Sequence, residues 1–215
     1  MINSISDVEQ YEKKIRGPIG KLLDSIFRFV PYWAIKFKIS ANSVTALAFA
    51  LDLTAIVLIL NGWFLFAGIL VLLSYVGDIS DGTVARYERE VLKKPKKGYG
   101  AFLDEVLGTI GFSLIVLFTG LSMGIPWLGL TAMVGIFMMN ITTAEAKLGI
   151  PNKNEISAKL QRHRFEDKYQ IGFTCDVQRT LVALAVVFHS WILLLLFVMA
   201  ANALWILKFW VYRNH

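Results

Sequence analysis

The chain has 215 residues, of which 56% are hydrophobic and only 18% charged, with a mean hydropathy of +0.57. Soluble domains carry about 25% charged residues, so disorder and a water-soluble nucleic-acid binder are excluded as main readings despite a net charge of +6. A single cysteine, Cys175, excludes an intramolecular disulfide framework.

Taken from the N-terminus, the chain opens on acidic and polar residues and lacks the early apolar core of a cleavable signal peptide. Ile15, Ile19, Leu22, Leu23, Ile26, Phe27 and Val30 recur at helical spacing, with Lys13, Lys14, Lys21 and Arg28 elsewhere on the surface. Residues 1–38 are therefore expected to form an amphipathic segment lying in the cytoplasmic interface, kinked or divided at Gly17-Pro18. Tyr32 and Trp33 suit an aromatic belt at its end, as Trp205, Trp210 and Tyr212 do near the other terminus.

Residues 39–215 show three long stretches poor in charge. Asp52 is the only charge between Ser43 and Gly77, and there is none from Val106 to Ala144 or from Thr180 to Leu207. A hydrocarbon core about 30 Å thick takes about 20 residues of helix, so each stretch holds two spans. The expected fold is an all-α integral membrane protein with six transmembrane helices, near 43–61, 64–85, 101–122, 126–147, 177–199 and 201–212. The breaks are placed at Asn61-Gly62, 87–100, Gly124-Ile125-Pro126, 148–176 and a weak turn near Asn202. Lys and Arg are confined to the N-terminal segment, 86–97, 147–179 and the C-terminal end. That asymmetry puts both termini and the two long loops on the cytoplasmic side, in the plasma membrane if the cell is prokaryotic.

Acids are costly near membrane depth, yet span two ends in Gly77-Asp78-Ile79-Ser80-Asp81-Gly82-Thr83-Val84-Ala85-Arg86. At about 100° per residue, Asp78, Asp81, Gly82 and Ala85 share one helix face. Span three opens with Gly100 and Asp104, again a small residue and an acid at i, i+4. Neighbouring carboxylates repel unless a cation sits between them. A hard divalent ion with a phosphate-bearing substrate answers that problem, and Arg86 is placed to pair with a phosphate. Metal-assisted transfer at phosphorus on the cytoplasmic face is the chemistry implied.

Asp78-x2-Asp81-Gly82-x2-Ala85-Arg86, followed by Gly100-x3-Asp104, resembles the motif of the CDP-alcohol phosphotransferases. Upstream, Ile39-Ser40-Ala41-Asn42-x2-Thr45 is similar to the stretch that opens that family's first span, with Ala41 where Pro is usual. The resemblance implies a Mg²⁺- or Mn²⁺-dependent membrane enzyme, often dimeric, that moves a substituted phosphate from a CDP-linked donor to an alcohol and releases CMP. It places metal at Asp78, Asp81 and Asp104, and a CDP site at Asn42, Thr45, Asp78, Gly82, Ala85, Arg86 and Gly100. The expected partners are a CDP-linked lipid donor, a small or phosphorylated alcohol acceptor, membrane lipids and a second copy of the chain, with no nucleic acid. The spacer before Gly100 is slightly longer than usual and very basic, with Lys93, Lys94, Lys96 and Lys97.

One departure is larger. The family's fourth acid, its favoured general base, is Gly108 here. Asp104 keeps a catalytic position, and Asp52 or Glu145 are candidates to substitute as base. Glu105, rotated about 100° from Asp104, is expected to face elsewhere. Metal coordination of the acceptor hydroxyl, or a water, is another route for the proton. A silent CDP-lipid-binding homologue acting as scaffold or regulator is the main alternative, and a cation transporter a further one. Lys147 and Arg179 are candidates for acceptor binding. His189 reads as a buried, hydrogen-bonded residue of span five, and Gly124, Gly129 and Gly135 as sites of close helix contact.

Overall fold

The computed structural model describes residues 4–12, 18–94, 98–148 and 175–213, and all its regular elements there are helices. A short 3₁₀ helix (Ser6–Tyr11) precedes α1 (Pro18–Phe27), α2 (Phe29–Lys36), α3 (Ala41–Leu60), α4 (Phe64–Glu90) and α5 (Gly98–Ser122). Then come α6 (Pro126–Leu148), α7 (Cys175–Val187) and α8 (Trp191–Arg213). Among the described residues three helices are long and apolar enough to cross a membrane, Ala41–Leu60, Phe64–Glu90 and Phe102–Ser122. Pro126–Ile141 and Trp191–Leu207 are shorter apolar helices.

Local chemistry explains the boundaries. Pro18 begins α1, where a missing N–H costs nothing. Ser40 caps α3, its hydroxyl accepting from the Ser43 N–H at 3.2 Å. Gly62 and Gly124 stand just past helix ends with φ of 77° and 72°, the left-handed conformation that glycine adopts without strain. Gly124 is thus a turn residue, not a packing contact as expected.

The same closing device falls at His189. Its φ is 46°, with Ser190 N–H bonded to the Ala185 carbonyl at 2.9 Å and His189 N–H to that of Val186 at 3.0 Å. These bonds end α7 at Val187. Two expectations are corrected. The expected span 177–199 is divided, and His189 is exposed at a turn, its ring stacked on Phe64 at 4.0 Å. Asn202, the expected break, lies inside α8. Its amide donates to the Val198 carbonyl and accepts from the Trp205 indole, both at 2.9 Å, so its polar atoms are used without interrupting the helix.

Small and polar side chains pack inward beside large apolar ones, and further large apolar side chains face outward. On α3 the buried stripe is Ala41, Val44, Thr45, Ala48, Asp52, Ala55, Ile56 and Ile59, while Leu47, Val57 and Leu60 are each more than half exposed. α4 lies between α3 and α7, α5 against α3 and α6, and α8 against α6 and α7. Close approach needs the absent side chain at Gly68, where a Cβ would come within 2.9 Å of the Ala183 carbonyl. The largest core cluster runs through Ala55, Val71, Ile115, Leu128, Val182 and Phe197.

The N-terminal segment wraps the end of α4 that carries the acids. Arg28 makes a forked ion pair with Glu12 at 2.6 and 3.0 Å. Tyr11 packs edge-on against Tyr87 at 5.3 Å and accepts, through its carbonyl, from the Arg86 Nε–H. On α1, the Gly20 N–H donates to the Asp176 carboxylate at 3.0 Å, and the Tyr75 hydroxyl donates to the same group.

Candidate functional site

α4 carries its acids into the gap between α3 and α5. Asp81 is 4% exposed and accepts a hydrogen bond from the Thr45 hydroxyl. Thr45 also donates to the Ala41 carbonyl at 3.2 Å, which fixes its rotamer. Asp78, one turn earlier, accepts from Arg179 Nη2 at 2.9 Å. Asp104 stands on the first turns of α5 and is exposed.

Two cavities adjoin here. One, of about 490 Å³, is lined by Asp78, Asp81, Gly82, Arg86, Asp104, Glu105, Gly108 and Arg179, together with Tyr75, Phe112, Asn140 and Gln178. The other, of about 630 Å³, is lined by Asn42, Thr45, Asp81, Gly82, Ala85, Arg86, Gly100 and Asp104. Asp81, Gly82, Arg86 and Asp104 form the wall between them. Every residue expected at a CDP site except Asp78 lines the second cavity, and Asp78 lines the first. Gly82 leaves that wall open: a Cβ there would meet only the Arg86 guanidinium, at 3.5 Å. Gly100 is more tightly constrained, because a Cβ there would lie 2.9 Å from the Asn42 side-chain oxygen.

Several expectations change. Glu105 does not face elsewhere; it lines the first cavity beside Asp104. That cavity takes in Asp104, Glu105, Gly108, Thr109 and Phe112, two adjacent rows of α5, so a 100° rotation does not leave it. Asp52 lines neither cavity. It is 1% exposed on α3, with its carboxylate at 3.4–3.5 Å from Arg179 Nη1. Arg179, rather than standing open for an acceptor, is 6% exposed and divided between Asp52 and Asp78. Its guanidinium also lies over the Phe112 ring at 4.6 Å. Arg86 turns to the Tyr11 carbonyl and, at 3.2 Å, to the Thr83 hydroxyl. The Glu145 and Lys147 side chains, and the basic residues of 149–174, lie outside the described residues.

The donor chemistry suits a hard divalent ion: carboxylate oxygens from Asp78, Asp81 and Asp104, in a cavity that Cys175 also lines. As the side chains stand, no group of three or more His, Cys, Asp or Glu among the described residues is drawn together as a ligand set. Asp78 leans to Arg179 and Asp81 to Thr45. The carboxylates share a cavity without converging on a point. Compared with models of known protein families and with curated proteins, the chain matches none.

Proposed function

We propose that this protein is a Mg²⁺- or Mn²⁺-dependent CDP-alcohol phosphotransferase of phospholipid synthesis, working at the cytoplasmic face of a membrane. The observation that carries the reading is the pair of cavities sharing a wall of two carboxylates, an open glycine and an arginine. A nucleotide diphosphate fits the cavity of Asn42, Thr45, Ala85 and Gly100, its phosphates against the shared wall. An acceptor alcohol enters the other.

In this reading α3 to α8 form the membrane-embedded bundle, in which α3, α4 and α5 are long enough to cross. α1 and α2 lie along the surface on an exposed stripe of Leu22, Ile26, Phe29, Trp33 and Phe37, spaced four, three, four and four residues apart. The same face of the bundle receives the end of α4 and the start of α5, and the Lys and Arg pattern of the sequence makes that face the cytoplasmic one.

The step balances as a displacement. The acceptor oxygen bonds to the phosphorus that carries the lipid, the bond from that phosphorus to the bridging oxygen breaks, and CMP leaves with that oxygen. The hydroxyl proton passes to Glu105, which lines the acceptor cavity and has no hydrogen-bond or ionic partner among the described residues. A divalent ion held by Asp81 and Asp104, with Asp78 still paired to Arg179, would neutralise the charge building on the phosphate of the departing CMP. Gly82 keeps the wall open for phosphate.

Purified protein given CDP-diacylglycerol, Mn²⁺ and a panel of alcohols should release CMP, and Asp81→Ala should abolish it. Gly108, where the resemblance implies an acid, favours a second reading, a silent CDP-lipid-binding homologue. Nucleotide binding without CMP release, with release restored by Gly108→Asp, would select it.

A further inference from the structure

A buried cation already stands among the carboxylates. The Arg179 side chain is 8% exposed and reaches three helices at once. Nη2 donates to Asp78 on α4 at 2.9 Å and to the Gly108 carbonyl on α5 at 3.3 Å. Nη1 faces both Asp52 oxygens, on α3, at 3.4 and 3.5 Å.

α5 is cut away to admit this arrangement. A Cβ on Gly111 would run into the Asp52 carboxylate, whereas one on Gly108 would make only ordinary contact with Arg179 Nη2, at 3.9 Å. The two glycines lie less than a turn apart on the helix that faces the pair. Asp52, too deep to touch either cavity, pairs with the guanidinium that does line a cavity and has the Ser74 hydroxyl as a further polar neighbour.

Charge decides what this does. Asp52 cancels Arg179, and Asp78 shares the same guanidinium. Asp81 and Asp104 make no direct ion pair among the described residues, although Asp104 feels the Arg179 charge and Arg86 shares their wall. One divalent ion balances those two. A second ion would compete with the guanidinium for Asp78, and displacing Arg179 would strand Asp52 as an uncompensated buried charge, which is strongly unfavourable.

We infer that Arg179, seated by Asp52, is the built-in second cation of the carboxylate cavity, so that each chain takes one divalent ion. Asp52 is a positioning residue. The inference rests on the metal-dependent reading given under Proposed function.

The test counts Mn²⁺ on the detergent-purified full chain, from the loss of the free-ion paramagnetic resonance signal, without substrate. The native protein should bind one Mn²⁺ per chain, and Arg179→Lys, which keeps the charge, should also bind one. Arg179→Gln should bind two. Two ions on the native chain overturn the inference whether or not Arg179→Gln folds, and leave the metal-dependent reading standing. A folded Arg179→Gln that stays at one ion overturns it as well. Native protein that binds no Mn²⁺ overturns both.

Discussion

Gly111→Ala isolates the seat of the Asp52 carboxylate. The new methyl would run into the carboxylate oxygen and come to 3.1 Å from its carbon and 3.2 Å from the Asp52 Cβ. Both helices are held by their own backbone bonds, so the side chain of Asp52 must turn away from Arg179. Uncoupling a buried ion pair so that a charge is left alone costs about 3–5 kcal/mol. Here Arg179 keeps Asp78 and the Gly108 carbonyl, so the lower end, about 3 kcal/mol, is expected. For a chain of this size that is a fall in Tm of about 6–12 °C, at about 2–4 °C per kcal/mol. The measurement is thermal unfolding in detergent of four proteins: native, Gly111→Ala, Asp52→Ala and the double variant. With Asp52 already truncated, only the contact to the residue 52 Cβ remains, so the same methyl should cost less than about 1 kcal/mol and the cycle should show a coupling of about 2 kcal/mol. Equal destabilisation by Gly111→Ala in both backgrounds would refute the seating of Asp52 against Gly111.

Glu105→Gln should lower CMP release by about 10²–10⁴-fold, the range for a lost general base, while Mn²⁺ binding persists. Gly68→Ala should destabilise by about 1–3 kcal/mol, because its methyl would stand 2.9 Å from the Ala183 backbone carbonyl and strike Val187; loss of Tm with no change in Mn²⁺ count is the check. Asp176→Asn leaves one acceptor where the carboxylate now holds both the Gly20 N–H and the Tyr75 hydroxyl. A hydrogen bond to a charged group is worth about 1.5–3 kcal/mol, so limited proteolysis within Pro18–Phe27 should speed up about tenfold or more.

Apolar runs made the helices legible, and the small-residue and carboxylate spacing at Asp78, Asp81, Gly82, Ala85, Gly100 and Asp104 picked out residues that line two touching cavities. What hydropathy does not carry is direction, because inward and outward faces are both apolar. On α3 the inward face is betrayed by small size and by Thr45 and Asp52, with large side chains outside. The α7–α8 turn was missed because its left-handed residue is His189 rather than glycine, while Asn202 resembled a break only until Val198 and Trp205 took up its amide. Glu105 was misjudged by treating a helix face as one row when the cavity spans two. The Asp52–Arg179 pair joins residues 127 apart; no local pattern announces it, although an acid alone in a charge-poor stretch asks for a partner.

Seat and base make opposite predictions for Asp52. A base must reach the acceptor hydroxyl, yet Asp52 lines neither cavity and its carboxylate faces Arg179 Nη1. Asp52→Asn keeps the shape and one acceptor oxygen for that N–H, and removes only the charge. The guanidinium, still bonded to Asp78 at 2.9 Å, is then held less firmly, and loss of such an outer partner costs about 10–100-fold in activity or ion affinity. CMP release should fall by that factor, since Glu105 still takes the proton. Measured side by side, Glu105→Gln must therefore cost about 10²–10⁴-fold and Asp52→Asn only about 10–100-fold. If Asp52→Asn causes the larger loss and Glu105→Gln leaves CMP release unchanged, the proton goes to α3, and the pairing of Asp52 with Arg179 is a resting state that the substrate breaks.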